Sequence, residues 1–273
     1  MAIFPNQDRY LGPQTEAERA ADYPYHAPEG GYVLDHGAVR QLDDPALLAG
    51  RTAVLSVGSN RAPVQLRRKF GDAALVPVTP AILHDCDIVH AATISYYGAV
   101  SCTAHPSAGT DVMLNIAWLD PDQLQIMHRT EAWGIAYDDV RLFAGVVTHL
   151  PVVEAGGEIV AAAEPVFGYS ARSGVLDVGG GWPAGLSRIP ARNRKFQTLS
   201  QDSAAGIVHA VAGETGGSGG KVTLATLPEF IETVVADKAW RQEINSHLQS
   251  RAIHAEGPWQ LQAVTADDVG AFL

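Results

Sequence analysis

Residues 51–71, RTAVLSVGSNRAPVQLRRKFG, restrict the chain to few folds. Thr52 to Val57 is a short apolar run rich in branched side chains, the pattern of a buried strand. Gly58-Ser59-Asn60 breaks it. Asn60 then suits a helix N-cap, Pro63 the first helical turn and Gly71 the stop. Val64, Leu66 and Phe70 supply a packing face, while Arg67, Arg68 and Lys69 fall at the negative end of the helix dipole. The stretch predicts a strand, a tight turn and a helix. Such a turn aims backbone N–H groups at whatever lies above it, which suits a carboxylate or a developing oxyanion. A plain strand-to-helix connection has the same local signature.

What flanks this unit is mostly strand. Ala81 to Ile94 predicts one or two strands, with His84, Cys86, Ile88 and His90 on one half-exposed face. Residues two apart on a strand are about 7 Å apart, too far for this row to share one zinc ion. Tyr97 to Pro106 predicts a strand entering a turn at Ser107-Ala108-Gly109. Asp111 to Leu119 follows as a strand whose Asn115 lies on the less buried face or faces a cavity. Asp120, Pro121 and Gln123 mark a helix start with a capping box. Along that helix Leu124, Met127, His128 and Glu131 share one face, so Glu131 is either drawn inward or left in solvent where the helix frays. Drawn inward, it would be a better proton acceptor at neutral pH. Asp139 to Val153 and Glu158 to Tyr169 predict two more strands joined at Gly156-Gly157, for five or six in all.

Beyond these strands the pattern changes. Ser170 to Asn193 is glycine-rich and predicts a surface loop, with Trp182 and Arg188 as alternative pocket-lining groups. Arg192, Arg194 and Lys195 predict a solvated face, and Lys195 to Ala212 a helix. Gly213 to Lys221 fails the phosphate-loop pattern, because Thr215 and Val222 stand where Gly and Ser or Thr belong, and predicts a linker. Thr226 to Glu229 is a capping box opening one long helix that packs through Phe230, Ile231, Val234, Val235, Trp240, Ile244 and Leu248. Residues 1–50 carry five prolines and several tyrosines and predict an arm lying on the body, with a short helix over Thr15 to Ala21. Strands and helices do not alternate as in a doubly wound fold. The expected fold is therefore α+β: a small mixed barrel or sheet with inserted helices over residues 51–190, the N-terminal arm over 1–50, and a C-terminal helical extension over 191–273.

Composition narrows the partners. The chain has 273 residues and a formal charge of −11, with no basic stripe interleaved with aromatics, so nucleic acid is not an expected partner. No apolar run reaches membrane-spanning length, and Met1 to Leu11 lacks a leader pattern, so no membrane association is expected. Two cysteines, Cys86 and Cys102, make no disulfide framework, and the cytoplasm is the expected location.

Taken together, Gly58-Ser59-Asn60 and Glu131 carry a likeness. The span from about Arg51 to Tyr169 resembles the γ-glutamylcyclotransferase-like superfamily. That family has a first strand ending in Tyr-Gly-Ser-Asn, an Ala-Thr-x-x-x-Ser-Pro-Gly-x-x-Val-like strand turn, and a helix ending in Asp-x-x-Glu-Gly. Here these read Val57-Gly58-Ser59-Asn60, the run Cys102 to Val112 (CTAHPSAGTDV), and His128-Arg129-Thr130-Glu131-Ala132, with Tyr137 following. The family pattern lies on Thr103 to Glu131 without a gap. The resemblance implies that Gly58, Ser59 and Asn60 donate backbone N–H groups to a γ-glutamyl substrate, with Val57, Thr103 and Tyr137 beside it. It also implies that Glu131 acts as general base and acid. The substrate's α-amine then attacks its own γ-carbonyl, releasing 5-oxoproline and an amine or amino acid, with no metal or organic cofactor. Three positions depart from the pattern: Val57 for tyrosine, Leu114 for a strand glycine and Ala132 for the glycine after the glutamate. A non-catalytic binding or assembly protein on the same scaffold is the alternative. A serine hydrolase built on Ser59 fails the Gly-x-Ser-x-Gly elbow at Val57.

Overall fold

The computed structural model of the chain describes residues 2–12, 14–154, 157–159, 164–215 and 226–263. The N-terminal fifty residues hold two short helices, α1 (Gln7–Leu11) and α2 (Glu16–Asp22), and a hairpin, β1 (Tyr32–Asp35) with β2 (Ala38–Arg40). Thr15 caps α2 reciprocally with Glu18. Tyr23, Tyr25 and Tyr32 are buried, and β1 pairs antiparallel with residues 75–78, so this segment adds a strand to the body as well as covering it.

β3 (Thr52–Ser56) is followed by Val57 and Gly58, Ser59–Arg61 makes one 3-10 turn, and α3 (Pro63–Phe70) follows. Pro63 opens α3 and Gly71, at φ 83°, closes it, as the sequence predicts. The N-cap is Ala62 and not Asn60. The extra 3-10 turn delays the helix by two residues and leaves the Asn60 side chain free to reach another element.

β4 (Leu75–Ile94) and β5 (Val100–Leu119) form one long antiparallel hairpin. The turn expected at Ser107-Ala108-Gly109 is instead a bulge inside β5. Asp85, at φ 56°, interrupts the register between His84 and Cys86 and accepts a hydrogen bond from Gly109 N at 2.7 Å. The bulge also breaks the predicted alternation. His84 stays partly exposed and bonds Asp111 and Thr148, while Cys86 and His90 are fully buried.

α4 (Pro121–Thr130) begins at Asp120 with the predicted box to Gln123. Where two strands were expected next, the described residues form β6 (Tyr137–Leu142), β7 (Val147–His149), β8 (Val152–Glu154), β9 (Gly157–Ile159) and β10 (Phe167–Ala171). Two two-residue strands, β11 (Gly185–Leu186) and β12 (Ala191–Arg192), lie where a loop was expected, and a third, β13 (Thr198–Leu199), occupies the start of the expected Lys195–Ala212 helix. Three helices, α5 (Gln201–Ala212), α6 (Leu227–Ala236) and α7 (Lys238–Gln249), and a last strand, β14 (Trp259–Leu261), complete the fold. The single long helix expected after Thr226 divides at Asp237, which ends α6 and caps α7 through Trp240 N. Most of the expected linker, from residue 216 on, lies outside the described residues.

The main sheet runs β13-β11-β4-β5-β3-β10-β6-β14, with β1 and β7 on β4 and β12 on β5. Its pairs are antiparallel except β3–β10 and β11–β13. The fold is thus α+β with a large mixed sheet, and the closed-barrel alternative is corrected. β13 and β14 stand at opposite ends of the path, are two and three residues long, and do not meet. A second apolar cluster joins α5, α6 and α7 to the far end of the hairpin through Ala92, Ile94 and Val100. Among the described residues no helix is long and apolar enough to cross a membrane.

Asp87 is fully buried and pairs with Arg194 at 2.9 Å, so Arg194 pins its loop to β4 instead of joining the predicted solvated face. Asp139 is buried with the Val140 N–H as its stabilising partner, and burial pushes its carboxyl up to about 7. Its folded value lies above the unfolded value of about 4, so the folded state holds the proton more tightly. The chain is therefore most stable below about pH 4 with respect to this group, loses stability as pH rises to about 7, and then levels off. Asp139→Asn removes that penalty. We expect it to raise stability at pH 8 by on the order of 2 kcal/mol and to leave pH 4 almost unchanged. Denaturant unfolding at both pH values checks this.

Candidate active site

A cavity of about 380 Å³ opens where the bend after β3 faces the end of α4. Val57, Gly58, Ser59 and Asn60 line one side, and Thr130, Glu131, Ala132 and Tyr137 another. α3 contributes Gln65, Arg68 and Lys69, and the N-terminal segment contributes Arg19 and Tyr23. Of the site residues that the resemblance implies, all but Thr103 line this space, whereas Trp182 and Arg188, the alternative pocket-lining groups, do not. The Thr103 hydroxyl instead accepts from Ala171 N at 3.1 Å and ties β5 to β10, while its neighbours Ser101 and Cys102 face the cavity.

The bend owes its shape to crowding. A Cβ on Gly58 would lie 2.5 Å from Cys102 Sγ and 2.8 Å from the Tyr23 hydroxyl oxygen. The turn's own bonds run from Arg61 N to Gly58 O and from Ala62 N to Ser59 O. The N–H groups of Ser59 and Asn60, which open the turn, have no partner within it and can donate to an anion. Behind the turn, Arg61 Nε donates to Asn115 Oδ1 at 2.9 Å and Tyr32 OH donates to Arg61 O at 2.8 Å. Asn115, the polar break in β5, therefore braces the bend from the buried side.

Glu131 is the C-cap of α4, and its N–H still bonds to Met127 O at 2.9 Å, so the helix has not frayed before it. Its side chain is 14% exposed. Oε1 accepts from Asn60 Nδ2 at 3.0 Å and forms an ion pair with Lys69, whose side chain is 5% exposed. Lys69 Nζ also donates to Thr130 Oγ1 at 2.9 Å. Ala132, where the resembled family has glycine, takes the left-handed φ of 50° that glycine adopts without strain.

Two further cations face the cavity. Arg19 lies 4.2 Å from the Tyr97 ring centre and donates to Tyr96 OH at 3.1 Å. Arg68 lies 5.0 Å from the Tyr25 ring centre and donates to Gln14 Oε1 at 2.6 Å. Neither pairs with a carboxylate among the described residues. The lining thus holds three cations against one carboxylate, an excess that favours an anionic ligand in a chain that is acidic overall. Two buried acceptors, Asn60 Oδ1 and Gln65 Oε1, have no partner among the described residues and suit an N–H-bearing ligand.

Burial pushes the Cys102 thiol up to about 12 and raises the Tyr137 phenol as well. Cys102 is therefore no thiolate nucleophile at neutral pH, and Tyr137 remains a donor, to Cys102 O at 3.4 Å. Tyr169 OH pairs with His128 Nδ1 at 2.8 Å, which explains why His128 turns inward on α4. Among the described residues no histidine lines the cavity, so none of them gives Ser59 an imidazole base there. Among the described residues no group of three or more His, Cys, Asp or Glu is placed to hold a metal ion.

Sequence reasoning missed Lys69, Arg68, Arg19 and Tyr23. For Lys69 a signal existed: it stands three residues after buried Leu66, on the same face of α3. Arg19 and Tyr23 carry no such signal, because their segment reaches the cavity only through tertiary packing. Comparisons with protein families, with curated proteins and with solved structures found no match.

Proposed function

We propose that the chain is a γ-glutamylcyclotransferase-like enzyme that opens a γ-glutamyl amide by intramolecular aminolysis. The observation that carries this reading is the 3.0 Å hydrogen bond from Asn60 Nδ2 to Glu131 Oε1, which ties the candidate base to the candidate oxyanion turn on one cavity. The γ-carbonyl sits on the bend, where the Ser59 and Asn60 N–H groups meet the negative charge that develops on its oxygen. Glu131 takes a proton from the α-amine as its nitrogen attacks the carbon of the γ-carbonyl. The C–N bond to the leaving amine breaks, the amine receives a proton, and 5-oxoproline forms without consuming water. The excess of cations suits the substrate's α-carboxylate, and the unpaired acceptors of Asn60 and Gln65 suit its α-amino group.

A second reading has its own support. Glu131 is already neutralised by Lys69, as a carboxylate in a non-catalytic binding pocket would be. The two readings separate in one experiment. The purified chain is incubated with a panel of γ-glutamyl amides, and both binding and 5-oxoproline release are measured. Release from at least one member is expected. Binding without release from any member would replace the enzyme with the binding protein.

A further inference from the structure

We infer that Lys69 is a second catalytic residue, delivering the proton to the leaving amine; this rests on the aminolysis reading above. The reaction must move protons off one nitrogen and onto another, both bonded to the same tetrahedral carbon. Glu131 Oε1 is held by Asn60 and Lys69 from two different elements, so one carboxylate cannot swing freely between the two nitrogens. Lys69 lines the same cavity and touches the base directly.

The ion pair couples the two transfers. When Glu131 gains the proton from the attacking amine it becomes neutral, and its attraction for the Lys69 ammonium falls. The Nζ–H that pointed at Oε1 is released at the moment the leaving nitrogen needs a proton. Lys69 gives that proton as the C–N bond breaks, and the lone pair stays with the departing amine. The neutral lysine then recovers a proton from the Glu131 carboxylic acid, which restores the ion pair. Both groups end as they began. Thr130 Oγ1 holds Nζ throughout, so the side chain need not reorder between steps.

A lysine that merely positioned Glu131 would matter equally for every substrate. One that protonates the leaving group matters only where that group needs a proton. Lys69→Gln and Lys69→Arg are compared with the unaltered chain on γ-glutamyl alkylamides and on γ-glutamyl-p-nitroanilide, whose weakly basic leaving nitrogen departs without proton donation. Lys69→Arg keeps a cation beside Glu131 and so serves as the folding control, checked by thermal unfolding. On alkylamides kcat should fall by about 100-fold or more in both variants, and on the anilide by less than about 5-fold. Equal losses on both substrates, or no loss on either, would overturn the role. An unaltered chain that released 5-oxoproline from neither substrate would instead remove the aminolysis reading, and this inference with it.

Discussion

Glu131→Gln should lower 5-oxoproline release by about 10²–10⁴-fold, the range typical of a lost general base. Glutamine keeps the shape of the side chain and can still accept from Asn60 Nδ2, so the cavity need not rearrange. What it cannot do is take a proton. The change also strips the Lys69 ammonium of its counter-charge. Thr130 Oγ1 remains as an acceptor, but an ammonium 5% exposed without an anion is costly to keep folded. Loss of a fully buried partner destabilises by about 3–5 kcal/mol. Glu131 retains some exposure, so about 1–3 kcal/mol is the expected loss here. The signature is therefore double: near-complete loss of turnover with a thermal midpoint lowered by several degrees in a chain that still folds. Turnover within a few-fold of the unaltered protein would remove Glu131 from the chemistry, whatever the midpoint did. Unchanged stability with turnover lost would mean that the ion pair contributes little to the fold while the base remains essential.

Gly58→Ala is expected to act through packing alone. The added methyl would meet Cys102 Sγ at 2.5 Å and the Tyr23 oxygen at 2.8 Å, and both are buried and hydrogen-bonded to each other at 3.1 Å. Neither is the loose end of a flexible surface side chain, so the bend must move. Overpacking of this kind costs about 1–3 kcal/mol. A shift of about 1 Å in groups that position a reacting carbonyl can cost about 100-fold in rate. We expect both effects, with kcat reduced at least about 10-fold. The double variant Gly58→Ala with Cys102→Ala removes the closer obstacle and should recover part of the stability, so the two changes should be non-additive. A Gly58→Ala chain as stable and as active as the parent would show that the bend is not crowded and that its geometry does not set the rate.

Both experiments bear on a site that was only half visible beforehand. The strand over Thr52–Ser56, the opening of α3 at Pro63, its end at Gly71 and the capped start of α4 all follow from side chains a few positions apart. Such signals act between chain neighbours and survive whatever the rest of the molecule does. The turn-like composition of Ser107-Ala108-Gly109 was equally clear locally, yet pairing with β4 on either side absorbed it as a bulge. The long helix after Thr226 had the right apolar spacing and still broke at Asp237, because spacing alone does not show where a carboxylate will cap.

Sequence by itself determined the elements that frame the cavity, since capping, periodicity and backbone preference are properties of short segments, but it left Glu131 either inward or in solvent. Tertiary structure alone decided what Glu131 touches. Lys69 lies 62 positions away and Asn60 lies 71 away, and neither spacing nor composition encodes a meeting across that distance. That contact exists because β3 and β5 pair in one register and carry α3 and α4 to the same face of the sheet, where two polar side chains leaving water can satisfy each other.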